Sequence, residues 1–235
     1  MNQKTFMVTG ATSGIGREIV MRLAAVGANV AFCGRSEQKL KHLLEELPEY
    51  SSNIYYRAFD ATDSAMTKDF IAGALLALGQ FDVLVNCAGA NTSRHKVEAL
   101  PVDTLNELLA LNTVSPFVFM QEIYNRSMKP RNEGMIINVL STVCHFSNEG
   151  IGAYTASKAS FDALTKVFRK EVREYGIKVC AIYPGGVDTP FREAERPLYL
   201  SAEQVADAVL YMANQPAQAV IDELVIRPLV EKNYP

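Results

Sequence analysis

The chain has 235 residues, 49% of them hydrophobic and 21% charged, so it can bury a large core and has no segment with the composition of a disordered tail. Its 23 basic and 26 acidic residues are interspersed and sum to a formal charge of −3, which excludes the basic footprint of a nucleic-acid binder. No apolar run reaches the roughly 18–20 residues of a membrane span, and the opening Met1–Gly10 lacks the basic and apolar regions of a secretory signal, so a cytoplasmic protein without a membrane partner is expected.

Extended and helical patterns alternate along the chain. Thr5–Thr9 is a short apolar strand, and Ile15–Val26 carries Ile15, Ile19, Leu23 and Val26 at helical spacing. Asn29–Cys33 is a second strand, and Ser36 is the expected N-cap of a helix bearing Leu40, Leu43, Leu44 and Leu47. Ile54–Phe59 is a third strand, Phe70–Leu78 a helix and Val83–Asn86 a fourth strand. One long helix is expected over Val102–Ser127, then a strand over Gly134–Val139, a helix over Ala153–Tyr175 and a strand over Lys178–Tyr183. Ser201–Asn214 is the last helix and Val220–Ile226 the last strand. Strands apolar on both faces belong in a parallel sheet covered by helices on either side. With right-handed crossovers, the expected fold is α/β: a doubly wound, seven-stranded parallel sheet of Rossmann type in one domain. Ligands of such sheets bind beyond the carboxyl ends of the strands.

The first strand ends in Thr9-Gly10-Ala11-Thr12-Ser13-Gly14-Ile15-Gly16 and opens a helix. Glycines there permit a tight turn and close approach of the backbone to a pyrophosphate, and a helix N-terminus supplies N–H groups and partial positive charge. The second strand runs into Cys33-Gly34-Arg35-Ser36, without the carboxylate that would bind an NAD ribose. Arg35 can pair with a 2′-phosphate, or be a solvated residue at a helix start; the first reading favours NADP(H) over NAD(H). Asp60, after the third strand, is placed to bond the adenine amino group or to cap its own turn. Asn86-Cys87-Ala88-Gly89 reads as a small-residue loop beside the cofactor or as a plain turn.

Tyr154 and Lys158 are four apart on an expected helix and share a face, and Ser141 follows a strand end. An ammonium near a phenol favours the phenolate, so such a tyrosine can give a proton to a carbonyl or take one from an alcohol. Ser141 would then bond the substrate oxygen as charge develops.

These segments together resemble the short-chain dehydrogenase/reductase family, in its compact single-domain branch. Thr9–Gly16 is similar to the family's cofactor loop, Asn86–Gly89 to its N-x-A-G loop, Ser141, Tyr154 and Lys158 to its catalytic residues, and Pro184-Gly185-Gly186-Val187-Asp188-Thr189 to its P-G-x-V-x-T segment. The resemblance spans Lys4–Pro190 and implies that Lys158 also holds the nicotinamide ribose. It also implies that Asn112 holds a water in a proton relay (the bare residues equally allow a buried Asn bonding to backbone), and that Val187 and Thr189, with Pro184 and Gly185, meet the nicotinamide. Cys87 and Leu140 depart from the family's usual residues without removing a needed group.

A short segment at about 190–200 is the expected substrate lid, with Cys144, Phe146, Ile151 and Phe191 as apolar walls. His145 lines the pocket or is simply exposed. The expected partner is a small carbonyl or alcohol substrate. A 3-oxoacyl carrier-protein reductase is the alternative, with Arg192 and Arg196 as a basic patch diluted by Glu193 and Glu195. A cofactor-binding sensor without turnover is the alternative of another class. The three histidines do not cluster, so no catalytic metal is expected. Cys33, Cys87, Cys144 and Cys180 show no CxxC spacing and read as reduced thiols. Asn91 and Asn125 begin N-x-S/T triplets that are read as chance matches. Leu105, Leu108, Leu109 and Phe117 put apolar residues on more than one helix face, and the resemblance to a family that pairs these helices implies a homodimer or homotetramer.

Overall fold

Seven short strands alternate their side chains between two apolar layers, and that alternation builds the molecule. The computed structural model describes residues 4–48, 53–191 and 195–232. The strands are β1 (Thr5–Thr9), β2 (Asn29–Gly34), β3 (Ile54–Ala58), β4 (Val83–Asn86), β5 (Gly134–Val139), β6 (Ile177–Pro184) and β9 (Glu223–Ile226). They form one parallel sheet in the order β3-β2-β1-β4-β5-β6-β9. Phe6 and Val8 face one layer and Met7 the other; Val30 and Phe32 oppose Ala31 and Cys33 in the same way. The first layer is covered by α1 (Gly14–Ala25), α2 (Glu37–Glu46) and α7 (Ala202–Ala213), through Ile19, Leu23, Leu40, Leu43, Val205 and Val209. The second is covered by α3 (Ser64–Leu78), α5 (Ser115–Ile123) and α6 (Gly152–Val172), through Phe70, Ile71, Phe119, Ile123, Phe161 and Val172.

The expected doubly wound α/β fold is the one observed, with four local differences. Helix α3 begins at Ser64, not near Phe70, because the Asp63 side chain caps it by accepting from the Ala65 and Met66 amides. The helix expected over Val102–Ser127 is α4 (Val102–Leu109), a π turn over Ala110–Val114, α5, a second π turn over Tyr124–Met128 and a 3₁₀ turn at Lys129–Arg131. The last strand is only Glu223–Ile226, because Val220 and Ile221 leave the ladder and pack on the first layer. An additional two-residue parallel ladder joins β7 (Val187–Asp188) to β8 (Leu200–Ser201) and ties together the two ends of the expected lid.

Strand β1 pairs with both β2 and β4, so the winding reverses at β1 and β4. Doubly wound sheets bind ligands in a crevice beyond the carboxyl ends of the strands at such a reversal.

Candidate active site

The glycine loop lies at this reversal. Gly10 and Gly14 have φ of 74° and 53°, a left-handed conformation that side chains resist. A Cβ on Gly10 would stand 2.8 Å from the Ala88 Cα, so the loops after β1 and β4 touch backbone to backbone. Thr9 Oγ1 fixes that contact by accepting from the Cys87 and Ala88 amides, both at 3.0 Å. A Cβ on Gly14 would lie 3.2 Å from the Thr189 side chain, so two expected cofactor segments 175 positions apart in the chain are neighbours. A Cβ on Gly16 would collide with the Gly10 carbonyl. Ser13 makes no side-chain cap to α1 and the first turn, including Ile15, holds no acidic residue, which suits an incoming anion.

At the end of β2, Gly34 abuts Thr12 so closely that a side chain at 34 would strike the Thr12 methyl. Arg35 is exposed beside it. Asp60 is exposed and caps its own turn: one carboxylate oxygen accepts from the Thr62 amide at 2.9 Å and the Thr62 hydroxyl at 2.8 Å. Those bonds, helped by nearby Arg35, hold the Asp60 carboxyl below the usual carboxylate range. Asn86 is buried, and its amide donates to Asn138 Oδ1 (2.9 Å) and the Pro116 carbonyl (3.3 Å), which ties β4 to β5 and α5. Pro184 ends β6 opposite Ile226, the Gly185 amide donates to the Ile226 carbonyl, and Val187 is buried in β7.

Of the catalytic candidates, Lys158 on α6 reaches the carboxyl end of β5 and the loop after β4. Tyr154, Lys158 and Ser141 are all buried. Lys158 donates to the Val139 carbonyl at 2.9 Å, and burial lowers its pKa. The room for it comes from Gly89, where a Cβ would lie 2.9 Å from Asn112 Oδ1 and 3.4 Å from Lys158 Nζ. Asn112 sits in the π turn between α4 and α5, a device often found at functional sites. Its side chain accepts from the Ala90 amide (3.0 Å) and donates to the Ala90 carbonyl (2.9 Å) and Ser157 Oγ (3.0 Å). Ser157 in turn donates to the Tyr154 carbonyl at 2.8 Å. Asn112 therefore does bond to backbone, as the bare sequence allowed. Ser141, two residues beyond β5, is in extended conformation and caps the turn Thr142–Cys144, its hydroxyl accepting a long 3.4 Å bond from the Val143 amide.

Of the expected pocket walls, Phe191 packs near Tyr154 with ring centroids 6.0 Å apart, and Ile151 joins the apolar cluster around Leu108 and Tyr154. Cys144 and Phe146 are directed elsewhere. Cys144 packs on the second core layer, and Phe146 lies under the Arg227 guanidinium, 4.8 Å from it. His145 is exposed, yet its ring packs against that of Tyr183, with centroids 4.4 Å apart and planes tilted by 52°. Of the charged residues on the lid, Arg192 and Glu193 lie outside the described residues, while Glu195 and Arg196 are exposed and the Arg196 amide donates to Asp188. Glu231, which the sequence did not single out, accepts from the Gly186 amide at 2.6 Å and from Arg227 at 3.2 Å, bracing the loop after β6. Nothing in the local sequence marks it, since it reaches that loop only through the chain's final turn. The four cysteines are free, and burial pushes the Cys33 and Cys87 thiols up to about 12.

Residues 4–199 match the family model described as short chain dehydrogenase. The chain belongs to that family. It is 31% identical over 233 residues to an uncharacterized oxidoreductase of Staphylococcus epidermidis, covering 97% of this chain and 99% of the relative. It is 34% identical over 202 residues to a putative ketoacyl reductase of granaticin polyketide synthase from Streptomyces violaceoruber, covering 86% and 74%. Among solved structures, the closed form of a serine dehydrogenase complexed with NADP+ superposes with a TM-score of 0.90 at 25% identity, covering 97% and 96%. The protein is thus a short-chain dehydrogenase oxidoreductase with a Rossmann-type fold. Among the described residues, no helix is long and apolar enough to cross a membrane.

Proposed function

We propose that this protein is an NADP(H)-preferring oxidoreductase that interconverts a carbonyl compound and its secondary alcohol, with Tyr154 as general acid and base. The observation that carries this reading is that buried Lys158, on the helix of buried Tyr154, reaches both the end of β5 before buried Ser141 and Gly89, in the loop that Gly10 touches. The residues fit a dinucleotide. Gly10 and Gly14 bring the loop's backbone close against the Ala88 and Thr189 segments with no side chain between them. Thr12, Ser13, Gly14, Ile15 and Gly16 would hold the pyrophosphate, Arg35 the 2′-phosphate, Asp60 the adenine side and Val187 with Thr189 the nicotinamide. When bound, the nicotinamide supplies or accepts the hydride. The 2′-phosphate preference rests on Gly34 being closed to a carboxylate by Thr12, and on the NADP+ bound to the serine dehydrogenase relative.

In the reducing direction, Tyr154 donates its proton to the carbonyl oxygen and Ser141 bonds that oxygen as negative charge grows on it. The Lys158 ammonium, one helical turn from Tyr154, stabilises the charge left on the phenol oxygen. Asn112 and Ser157 hold that turn of α6 against the Ala90 loop. Oxidation runs the same steps backwards. Loss of NADPH absorbance across ketones, 3-oxo acids and 3-oxoacyl thioesters, repeated with NADH, tests the reading. Turnover with NADPH favoured supports it, and cofactor binding without turnover of any substrate supports a sensor instead. A preference for the thioesters would single out a carrier-linked ketoacyl substrate, in line with the ketoacyl reductase relative.

A further inference from the structure

We propose that Tyr183 and Asp162 are positioning residues that hold Ser141 and Tyr154 in register; this rests on the oxidoreductase reading above. Asp162 lies on α6 one turn beyond Lys158 and two beyond Tyr154, so it continues the face that carries both. It is buried, which a carboxylate tolerates only when its oxygens are bonded. One oxygen accepts from the Tyr183 hydroxyl at 2.8 Å, and the other from Lys166 at 2.7 Å. Tyr183 is fully buried near the end of β6, next to the Pro184-Gly185-Gly186 loop. Burial and the Asp162 carboxylate push its pKa up, so it stays a hydroxyl donor. Its ring meets that of His145 at 4.4 Å, and His145 is bound back to Thr142 within the turn that starts at Ser141. The Leu140 amide, just before Ser141, also donates to the Ile182 carbonyl beside Tyr183.

Tyr183 thus joins three parts of the site: the helix of Tyr154 and Lys158 through Asp162, the turn of Ser141 through His145, and the loop after β6 through the chain itself. The Tyr183 hydroxyl and Asp162 oxygen fix how far α6 stands from β6, and so how far Tyr154 stands from Ser141. Neither group needs to touch substrate. A misplacement of about 1 Å at such a centre can cost on the order of 100-fold in rate.

The test uses the full chain with a substrate it turns over. Tyr183→Phe keeps the ring against His145 and removes only the hydroxyl. It should lower kcat about 10- to 100-fold, while the NADPH dissociation constant changes less than about threefold and melting stays cooperative. Asp162→Asn keeps an oxygen acceptor for Tyr183 and should retain most of kcat, whereas Asp162→Ala should match Tyr183→Phe. If Asp162→Ala fails to fold, the contrast between Tyr183→Phe and Asp162→Asn decides alone. A folded Tyr183→Phe with kcat within twofold of wild type overturns the proposal. So does a loss carried entirely by weaker NADPH binding. A wild type that binds NADPH but turns over no substrate fails the oxidoreductase reading itself, and this inference with it.

Discussion

Lys158 is a cation held out of water, with the Val139 carbonyl as hydrogen-bond acceptor at 2.9 Å. Burial lowers its pKa below the ordinary 10.5, so folding favours the neutral amine. Between the lowered folded value and the ordinary unfolded one, the unfolded chain binds more protons, and this group makes stability rise with pH across that window. Below the window both states are protonated and the full cost of burying the charge applies. Lys158→Met should therefore abolish turnover yet melt no lower than wild type at pH 7 without cofactor, and its advantage should shrink as pH approaches 10.5. A melt several degrees lower at pH 7 would mean that the Val139 bond outweighs the burial cost. Arg35 presents the opposite case, a solvated charge whose value depends on a partner. A charge-assisted contact is worth about 1.5–3 kcal/mol, and exposure places Arg35 at the lower end. Arg35→Ala should weaken NADPH about tenfold and NADH little, read by cofactor fluorescence titration; equal weakening of both would remove Arg35 from the phosphate site.

Individual elements show which signals a sequence carries openly. Ser201 caps α7 by accepting from the Gln204 amide, while the Gln204 side chain accepts from the Ser201 amide, a complete capping box. Ser201→Ala should cost about 1 kcal/mol by denaturant unfolding, and a change within error would show that β8 holds the helix start without the cap. The cap at Ser36 was equally plain, because Leu40 and Leu43 follow at core spacing. The start of α3 was not, because the six residues after Asp63 hold little apolar periodicity before Phe70. The two π turns were hidden for another reason. An extra residue per turn changes neither composition nor hydrophobic spacing enough to show, so Val102–Ser127 reads as one smooth helix. The site was legible where glycine and the Tyr154–Lys158 spacing speak locally. Asp162, Tyr183 and Glu231 were missed because their partners lie 21 and 45 positions away in the chain.

At the scale of the whole molecule, α4, the π turn after it and α6 leave Val102, Val114, Leu164 and Val167 exposed, beside partly buried Leu105, Leu109 and Phe117. These neighbouring helices are where the expected self-association would bury apolar side chains. Light scattering at micromolar concentration should give a dimer or tetramer, and Val167→Glu should shift it towards monomer; a monomeric wild type would dismiss the face. The parallel sheet and its two covering layers were readable from strands apolar on both faces, whereas the strand order was not, since an apolar strand does not say which neighbour it pairs with. In the proposed mechanism, what they position is one proton. The most direct measurement is single-turnover reduction by Tyr154→Phe, first shown to fold and to bind NADPH. A general acid contributes about 10²–10⁴-fold, so turnover should fall by at least that much while NADPH affinity stays near wild type. A rate close to wild type would contradict the account, and the proton would have to come from elsewhere, with His145 the next residue to replace.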